Sequence, residues 1–345
     1  MAKAKQKAPT AAQRREKERQ QRQQRLAGSQ SNQGQARNKG PMQRKSSQRQ
    51  WLLIGGVLLL IAIIIGAFIV LSRQQSGGQT GTIQASPEVL KAVTQVDPNV
   101  LSAVGTGGVQ NPLKAVKGSP PVLTGPNGKA EVFYAGGNYC PYCAAERWAM
   151  IVALSRFGTF SHLDQIQSGE GNISTFTFYH SEYSSAYIDL VPLELYGNNT
   201  DSSGNYAVLQ KPTADQQKLI DTYDAPPYSS SAGVIPFVDI ANRYVLSGAS
   251  YNPQVILDSS SQSLSWQDIA KSLSNPGSPI AQNILGTANY LTAGICMATQ
   301  QQPASVCNAT VIQQIEQSLG KSAVGSGGIQ VAIAGDIEAV IRQQD

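Results

Sequence analysis

Cysteine and histidine are scarce in this chain of 345 residues, with four and two copies. That scarcity excludes a multi-site zinc protein, which needs repeated Cys/His ligand pairs. Charge is also sparse, at 14% of residues, and residues 51–72 contain none. A chain interrupted in this way is not an uninterrupted soluble enzyme. No internal repeat and no run of heptads is present, which excludes a solenoid and a coiled coil.

What charge there is has been sorted along the chain. Residues 1–50 carry 14 Lys and Arg against 2 acidic residues, whereas residues 73–345 carry 13 against 20. The net +5 is therefore the sum of a basic tail and an acidic remainder. A nucleic-acid binder with its basic surface on a folded domain is excluded, so no nucleic-acid partner is expected.

The stretch Trp51–Leu71, WLLIGGVLLLIAIIIGAFIVL, is apolar or Gly throughout. At about 1.5 Å per residue it is long enough to cross a hydrocarbon core of ~30 Å, and it lacks the polar stripe of a buried core helix. It exceeds a typical signal-peptide core, and no small-residue cleavage site follows it closely, so it is read as an uncleaved signal-anchor. Basic residues stay on the cytoplasmic side, and only Arg73 lies just beyond the span. The expected arrangement is a single-pass plasma-membrane protein. Residues 1–50 form a disordered basic cytoplasmic tail, 51–72 the transmembrane helix, 73–84 a Gly/Gln/Ser linker, and 85–345 the extracytoplasmic domain. Membrane lipid is thus one partner, and anionic headgroups are a further contact for the tail.

All four cysteines then lie outside, where disulfides persist. Cys140 and Cys143 form C-P-Y-C. Upstream, Glu131–Tyr134 reads as a short apolar strand and Gly136-Gly137-Asn138 as a turn; downstream, Trp148, Ile151, Val152 and Leu154 recur at helical spacing. Cys140 is therefore expected at a helix N-terminus, where unpaired N–H groups and the helix dipole lower a thiol pKa below its free value of about 8.5. Pro141 suits the first helical position. Cys143, one turn later and facing inward, would attack second. C-x-x-C also occurs in zinc sites, but Cys296, Cys307, His162 and His180 form no matching second pair, so neither a metal nor any other cofactor is expected. A structural disulfide across Cys140 and Cys143 is the other alternative.

Gly233–Ile240 sets Pro236 at the head of an apolar run, followed by a turn at 241–243 and a strand from Tyr244. A proline, unable to donate to a ladder, belongs at a strand's first residue. Strand, C-x-x-C, helix and Ile-Pro hairpin, in that order, resemble the thioredoxin-like superfamily, and C-P-Y-C is the glutaredoxin dipeptide. The stretch EVFYAGGNYCPYCAAERWAMIVALSRFGTF is similar to membrane-anchored thioredoxin-like proteins of unassigned function, and the likeness extends over most of residues 85–345. The membrane-tethered setting is similar to extracytoplasmic disulfide oxidoreductases.

The resemblance implies an α/β thioredoxin-like fold with a strand–C-x-x-C–helix core over 130–160, a cis-proline hairpin over 233–247, a central insertion over 180–230 and a helical region over 264–345. It implies that Cys140 and Cys143 are catalytic and that Pro236 is a cis-proline, with Ile235 offering its backbone to a substrate. Tyr139, Pro141 and Tyr142 complete the expected substrate contacts. The expected activity is thiol-disulfide exchange on protein thiols, and an oxidase would need a redox partner in the membrane. The rival reading is a non-catalytic binding scaffold, since fold does not fix function. Two departures stand out. Tyr139 occupies the usual Trp position, and Tyr134, six residues before Cys140, stands where such proteins keep a buried acid. Glu131 and Glu146 are the substitutes considered, and Glu146 reads as an exposed helix residue.

Cys296 and Cys307 lie near the facing ends of two amphipathic helices, 280–297 and 309–319, with Pro303 between. A disulfide there would staple a helical hairpin and contribute about 3 kcal/mol; the alternative is a relay pair exchanging with C-P-Y-C. His162 and His180 are read as ordinary polar contacts, the latter ending a strand over 173–179. Asn172, Asn198 and Asn308 lie in N-x-S/T triplets.

Overall fold

The structure is a computed structural model that describes residues 82–324. The basic tail, the apolar segment Trp51–Leu71 and most of the linker lie outside the described residues, as do residues 325–345. Among the described residues no helix is long and apolar enough to cross a membrane.

Strand β3 (Ala130–Gly137) is buried from Glu131 onward. Its near-continuous apolar sequence suits a central strand covered on both faces. It pairs in parallel with β6 (Ile188–Thr200) and antiparallel with β8 (Phe237–Ile240). With β2 (Lys114–Ala115), β7 (Tyr206–Val208) and β9 (Tyr244–Ser247), the six-stranded order is β2-β9-β8-β3-β6-β7.

The two faces of β3 build two cores. Val132 and Tyr134 face helices α3 (Pro141–Leu154) and α6 (Pro279–Ala298) in the larger cluster, which also holds Trp148, Ile151 and Leu285. On the opposite face Phe133, Ala135, Leu193, Phe237 and Val245 meet Leu219, Ile220 and Tyr223 of α4 (Ala214–Tyr223), whose start carries a Thr213–Gln216 capping box. The described residues thus form a mixed α/β domain with helices on both faces of its main sheet.

Helix α1 (Pro87–Thr94) is capped by Ser86 and begins with Pro87; α2 (Pro98–Val104) is capped by Asp97. Asn289 of α6 donates to Leu101 O at 2.9 Å and Gly105 O at 2.8 Å, satisfying carbonyls at the end of α2. The backbones come so close there that a Cβ on Gly286 would lie 2.2 Å from Thr106 O.

Three expectations are corrected. The stretch read as a central insertion, 180–230, holds a strand of the main sheet. Helix α3 is followed by β4 (Gly158–Gln167) and β5 (Ser174–Ser185), a hairpin that with β1 (Ile83–Gln84) makes a separate sheet ordered β1-β4-β5, and the parallel neighbour of β3 is β6. The hairpin 158–185 is what stands between α3 and β6. Pro192 and the acidic residues Asp189 and Glu194 interrupt the apolar pattern of β6, which is why it does not read as a central strand. Secondly, the linker ends in structure, since β1 (Ile83–Gln84) pairs with β4. Thirdly, His180 lies within β5, its φ of 60° marking an irregularity rather than the strand's end.

The helical region comprises α5 (Trp266–Ser272), α6, α7 (Ala304–Cys307) and α8 (Thr310–Val324). A disulfide joins Cys296 to Cys307 with a Cα–Cα distance of 5.5 Å. It fastens the last turns of α6 to α7, both sulfurs fully buried.

Candidate functional site

The end of β3 is shaped by crowding. A Cβ on Gly136 would stand 2.0 Å from the Tyr134 hydroxyl, and one on Gly137 would stand 2.9 Å from the Tyr139 ring, so both positions need glycine. The strand register against β6 slips between these two glycines. Asn138 N–H then donates to Tyr196 O (2.8 Å) and Cys140 N–H to Gly137 O (3.2 Å), turning the chain into α3.

Cys140 is the N-cap of α3, with Pro141 in the first turn. Its Sγ accepts the Cys143 N–H at 3.3 Å. The two thiols are free, Cys140 5% exposed and Cys143 fully buried. Across from them, the Ile235 carbonyl oxygen lies 4.0 Å from Cys140 Sγ, and the Ile235–Pro236 peptide bond is cis.

The surroundings split the two thiols. Hydrogen bonding from the Cys143 thiol, reinforced by its N–H and the nearby Arg147 charge, outweighs burial and lowers the Cys140 pKa. Burial, together with that same hydrogen bond, pushes Cys143 well above the ordinary thiol range. The surroundings thus favour the thiolate at Cys140 and the protonated thiol at Cys143.

Behind the turn, Arg147 and Glu194 form a fully buried ion pair: Nε to Oε1 at 2.9 Å and Nη2 to Oε2 at 2.7 Å. Burial alone would lower the Arg147 pKa, but Glu194, through its charge and hydrogen bond, together with Tyr134 and Cys143, outweighs it and holds the guanidinium charged. Nη2 also donates to Gly137 O at 2.9 Å and reaches Asn138 Oδ1 at 3.5 Å. Such pairs are poor sources of net stability. This one fixes the turn that presents Cys140.

The Ile235–Pro236 loop is held from two sides. Asp224 accepts from Ser247 Oγ at 2.7 Å and from the Val234 N–H, while burial pushes its pKa up to about 6. Gly248 N–H donates to Pro236 O (2.8 Å), and two residues on, Ser250 gives its N–H and Oγ to Glu146 at 2.8 and 3.0 Å. Glu146 is therefore not an exposed helix residue. It is completely buried, its pKa pushed up to about 7 by burial, and it ties α3 to the loop that follows β9. Glu131 is also pushed up to about 7, by burial and by Asp239 and Asp189, but it sits at the other end of β3 from the thiols.

Tyrosines surround the pair. Tyr139 stacks on Tyr206 at 4.0 Å and meets Tyr196 edge-on at 6.2 Å. The tip of the β4–β5 hairpin reaches them as well, with Glu170 N–H bound to Tyr139 O (2.9 Å) and its carboxylate to the Tyr206 hydroxyl (3.2 Å). Tyr142 stands 54% exposed. His162 contacts Asp164 at 3.2 Å, and His180 stacks on Tyr179. Among the described residues no three His, Cys, Asp or Glu side chains are grouped to hold a metal ion.

Sequence reasoning missed Arg147, Glu194, Asp224 and Ser250. The available signal was Arg147 itself, a lone cation inside an apolar helix and four residues after Cys143. Glu194 gave none, because its partner lies 47 residues away.

No curated protein and no solved structure matches the chain significantly. A family model does, over residues 114–297, from β2 through most of α6 and with the C-P-Y-C pair and the Ile235–Pro236 loop inside it. That match covers more than half of the 345 residues, and the chain belongs to the family described as Domain of unknown function (DUF929).

Proposed function

We propose that this protein is a thiol-disulfide oxidoreductase of thioredoxin-like fold, acting through Cys140 and Cys143 on protein thiols and disulfides. The observation that carries the reading is the asymmetry of the pair. Cys140 sits at a helix N-terminus with donors aimed at its sulfur, while Cys143 is sealed beneath it with its proton retained. The fold reading is supported by the order of the core: β3, the C-P-Y-C helix, parallel β6, then the antiparallel hairpin β8–β9 and a final helix against α3. Ile235 and Pro236 beside Cys140, with Tyr139, Pro141 and Tyr142, are the surface on which a substrate segment docks. The segment Trp51–Leu71 tethers this domain outside the plasma membrane.

In the exchange, Cys140 thiolate attacks a substrate disulfide, forming a mixed disulfide and expelling one substrate thiolate. Cys143 then attacks Cys140 sulfur, closing the Cys140–Cys143 disulfide and releasing the second substrate sulfur, which takes up the proton lost by Cys143. Run backwards, the same steps oxidise a substrate dithiol, and the reduction potential sets the direction over a span of roughly −270 to −120 mV in comparable proteins.

Cys143→Ser keeps the attacking thiol and cannot resolve. Full-length Cys143→Ser protein is expected to accumulate mixed disulfides with other proteins, released by dithiothreitol. Adding Cys140→Ser should abolish them and lower exchange by at least about a thousandfold. Absence of any adduct on Cys143→Ser, with a wild-type Cys140 titrating at or above the free-thiol value, overturns the reading in favour of a binding scaffold.

A further inference from the structure

Two buried polar atoms near the thiols have no hydrogen-bond partner: the Tyr134 hydroxyl and Arg147 Nη1. Buried donors are nearly always paired, and one left bare in a well-packed core calls for an explanation. These two are neighbours. The Arg147 guanidinium carbon lies 5.7 Å from the centre of the Tyr134 ring. The Tyr134 hydroxyl sits against Gly136, at the thiol end of β3, while its ring packs edge-on to Phe178 at 5.1 Å on the face covered by α3.

Cys143 faces the same place. It is fully buried on α3, and Arg147 follows it by one turn, at the i,i+4 spacing that brings side chains side by side. The groups around its sulfur are Cys140 and Arg147 from α3, Tyr134 from β3, and Tyr139 and the Gly137 N–H from the turn, with Glu194 of β6 behind Arg147. Arg147 is the one cation in that set. Glu194, Gly137 and Asn138 occupy Nε and Nη2, leaving Nη1 bare.

The resting enzyme has no use for these donors, because the Cys143 thiol is neutral. The resolving step does. Cys143 must become a thiolate in a place sealed from water, and a buried anion without donors is costly. We propose that the Tyr134 hydroxyl and Arg147 Nη1 are a donor pair reserved for the Cys143 thiolate, stabilising it as it attacks the mixed disulfide on Cys140. This rests on the thiol-disulfide reading above and assigns the position six residues before Cys140 a hydrogen-bond donor.

The step balances without an added reagent. The Cys143 S–H bond breaks, the new S–S bond joins Cys143 to Cys140, the bond from Cys140 to the substrate sulfur breaks, and the proton leaves with that sulfur or to solvent. With dithiobis(nitrobenzoate) as the probe, reduced full-length protein releases thionitrobenzoate twice. The first release is bimolecular, from attack by Cys140; the second is independent of reagent concentration, from attack by Cys143.

Tyr134→Phe removes only the hydroxyl. It is expected to slow the second release about tenfold and move its pH midpoint upward, leaving the first within twofold. A purely structural role would shift both releases together. An unchanged rate and pH midpoint for the second release in Tyr134→Phe overturns the proposal. If that variant does not fold, Arg147→Lys, which keeps the charge and loses the planar fork, is judged by the same criterion. A wild-type protein that gives a first release and no second would instead sink the oxidoreductase reading itself.

Discussion

Both cysteine pairs are buried, and they differ in almost everything else. Cys140 caps the start of α3, where N–H groups and the positive end of the helix dipole favour a thiolate. Cys296 lies near the end of α6, among carbonyls that disfavour one, and its sulfur is already bonded to Cys307. The first pair has polar side chains around it: Arg147 with Glu194 behind it, Tyr139 and Tyr134. The second belongs to the apolar cluster with Ile312, Ile315 and Leu319. Burial alone therefore says little about what a cysteine does. Which end of a helix it occupies, and which donors reach its sulfur, separates the pair proposed to exchange from the staple.

The strongest way to break that contrast is to remove the staple. Replacing Cys296 and Cys307 together by Ala is expected to lower unfolding stability by about 3 kcal/mol, since the crosslink closes a short loop. Thiol exchange by Cys140 at a temperature where the variant stays folded should be unchanged. Denaturant unfolding and the two-step thionitrobenzoate release measure the two quantities on one sample. A loss of exchange in the folded double variant would make the second pair a relay, and the contrast would fail.

A somewhat smaller effect tests a buried polar residue on the helix that carries the first pair. Glu146 is pushed up to about 7 in the folded protein against an ordinary value of 4.5. A carboxyl raised on folding contributes stability that is fully present below its unfolded pKa and is lost as pH rises through the folded value. Wild type should thus lose on the order of 2 kcal/mol from this group between pH 4.5 and about 7, a loss that Glu146→Gln removes. The comparison is the slope of stability against pH, wild type minus variant. Equal slopes would show that Ser250 alone holds the loop after β9 and that the carboxyl's charge state is irrelevant.

These surroundings also mark the limit of reading the sequence. The Cys140–Cys143 spacing, the apolar rhythm of α3 and the proline heading β8 are local patterns, each contained in a window of a few residues. The pairing of Cys296 with Cys307 is legible as well, from their positions at the facing ends of two helices, although their spacing leaves staple and relay both open. By contrast Glu146 and Glu194 look like ordinary surface residues until strands and loops far away in sequence cover them, and Arg147 stands out only as a cation inside an apolar helix. Strand β6 was hidden for the same reason, because Asp189, Pro192 and Glu194 read as a polar loop although two of them lie deep in the fold. A buried charge is invisible to patterns that assign charge to the surface.

The smallest effect concerns Tyr142, which has no counterpart beside the staple. Its backbone N–H helps lower the Cys140 pKa, but its ring stands 54% exposed. Backbone and side chain therefore separate cleanly here. Tyr142→Ala keeps the N–H, so the thiolate and its reaction with dithiobis(nitrobenzoate) should be untouched. The ring offers apolar area to a docked polypeptide, and an exposed aromatic at the edge of such a contact is worth roughly 1 kcal/mol when removed. KM for a disulfide-bearing protein substrate should then rise about fivefold with kcat unchanged. A drop in the small-reagent rate would mean that the ring shapes the thiolate itself. An unchanged KM would mean that substrate docks on the Ile235–Pro236 side alone, leaving the chemistry to the donors beneath the pair.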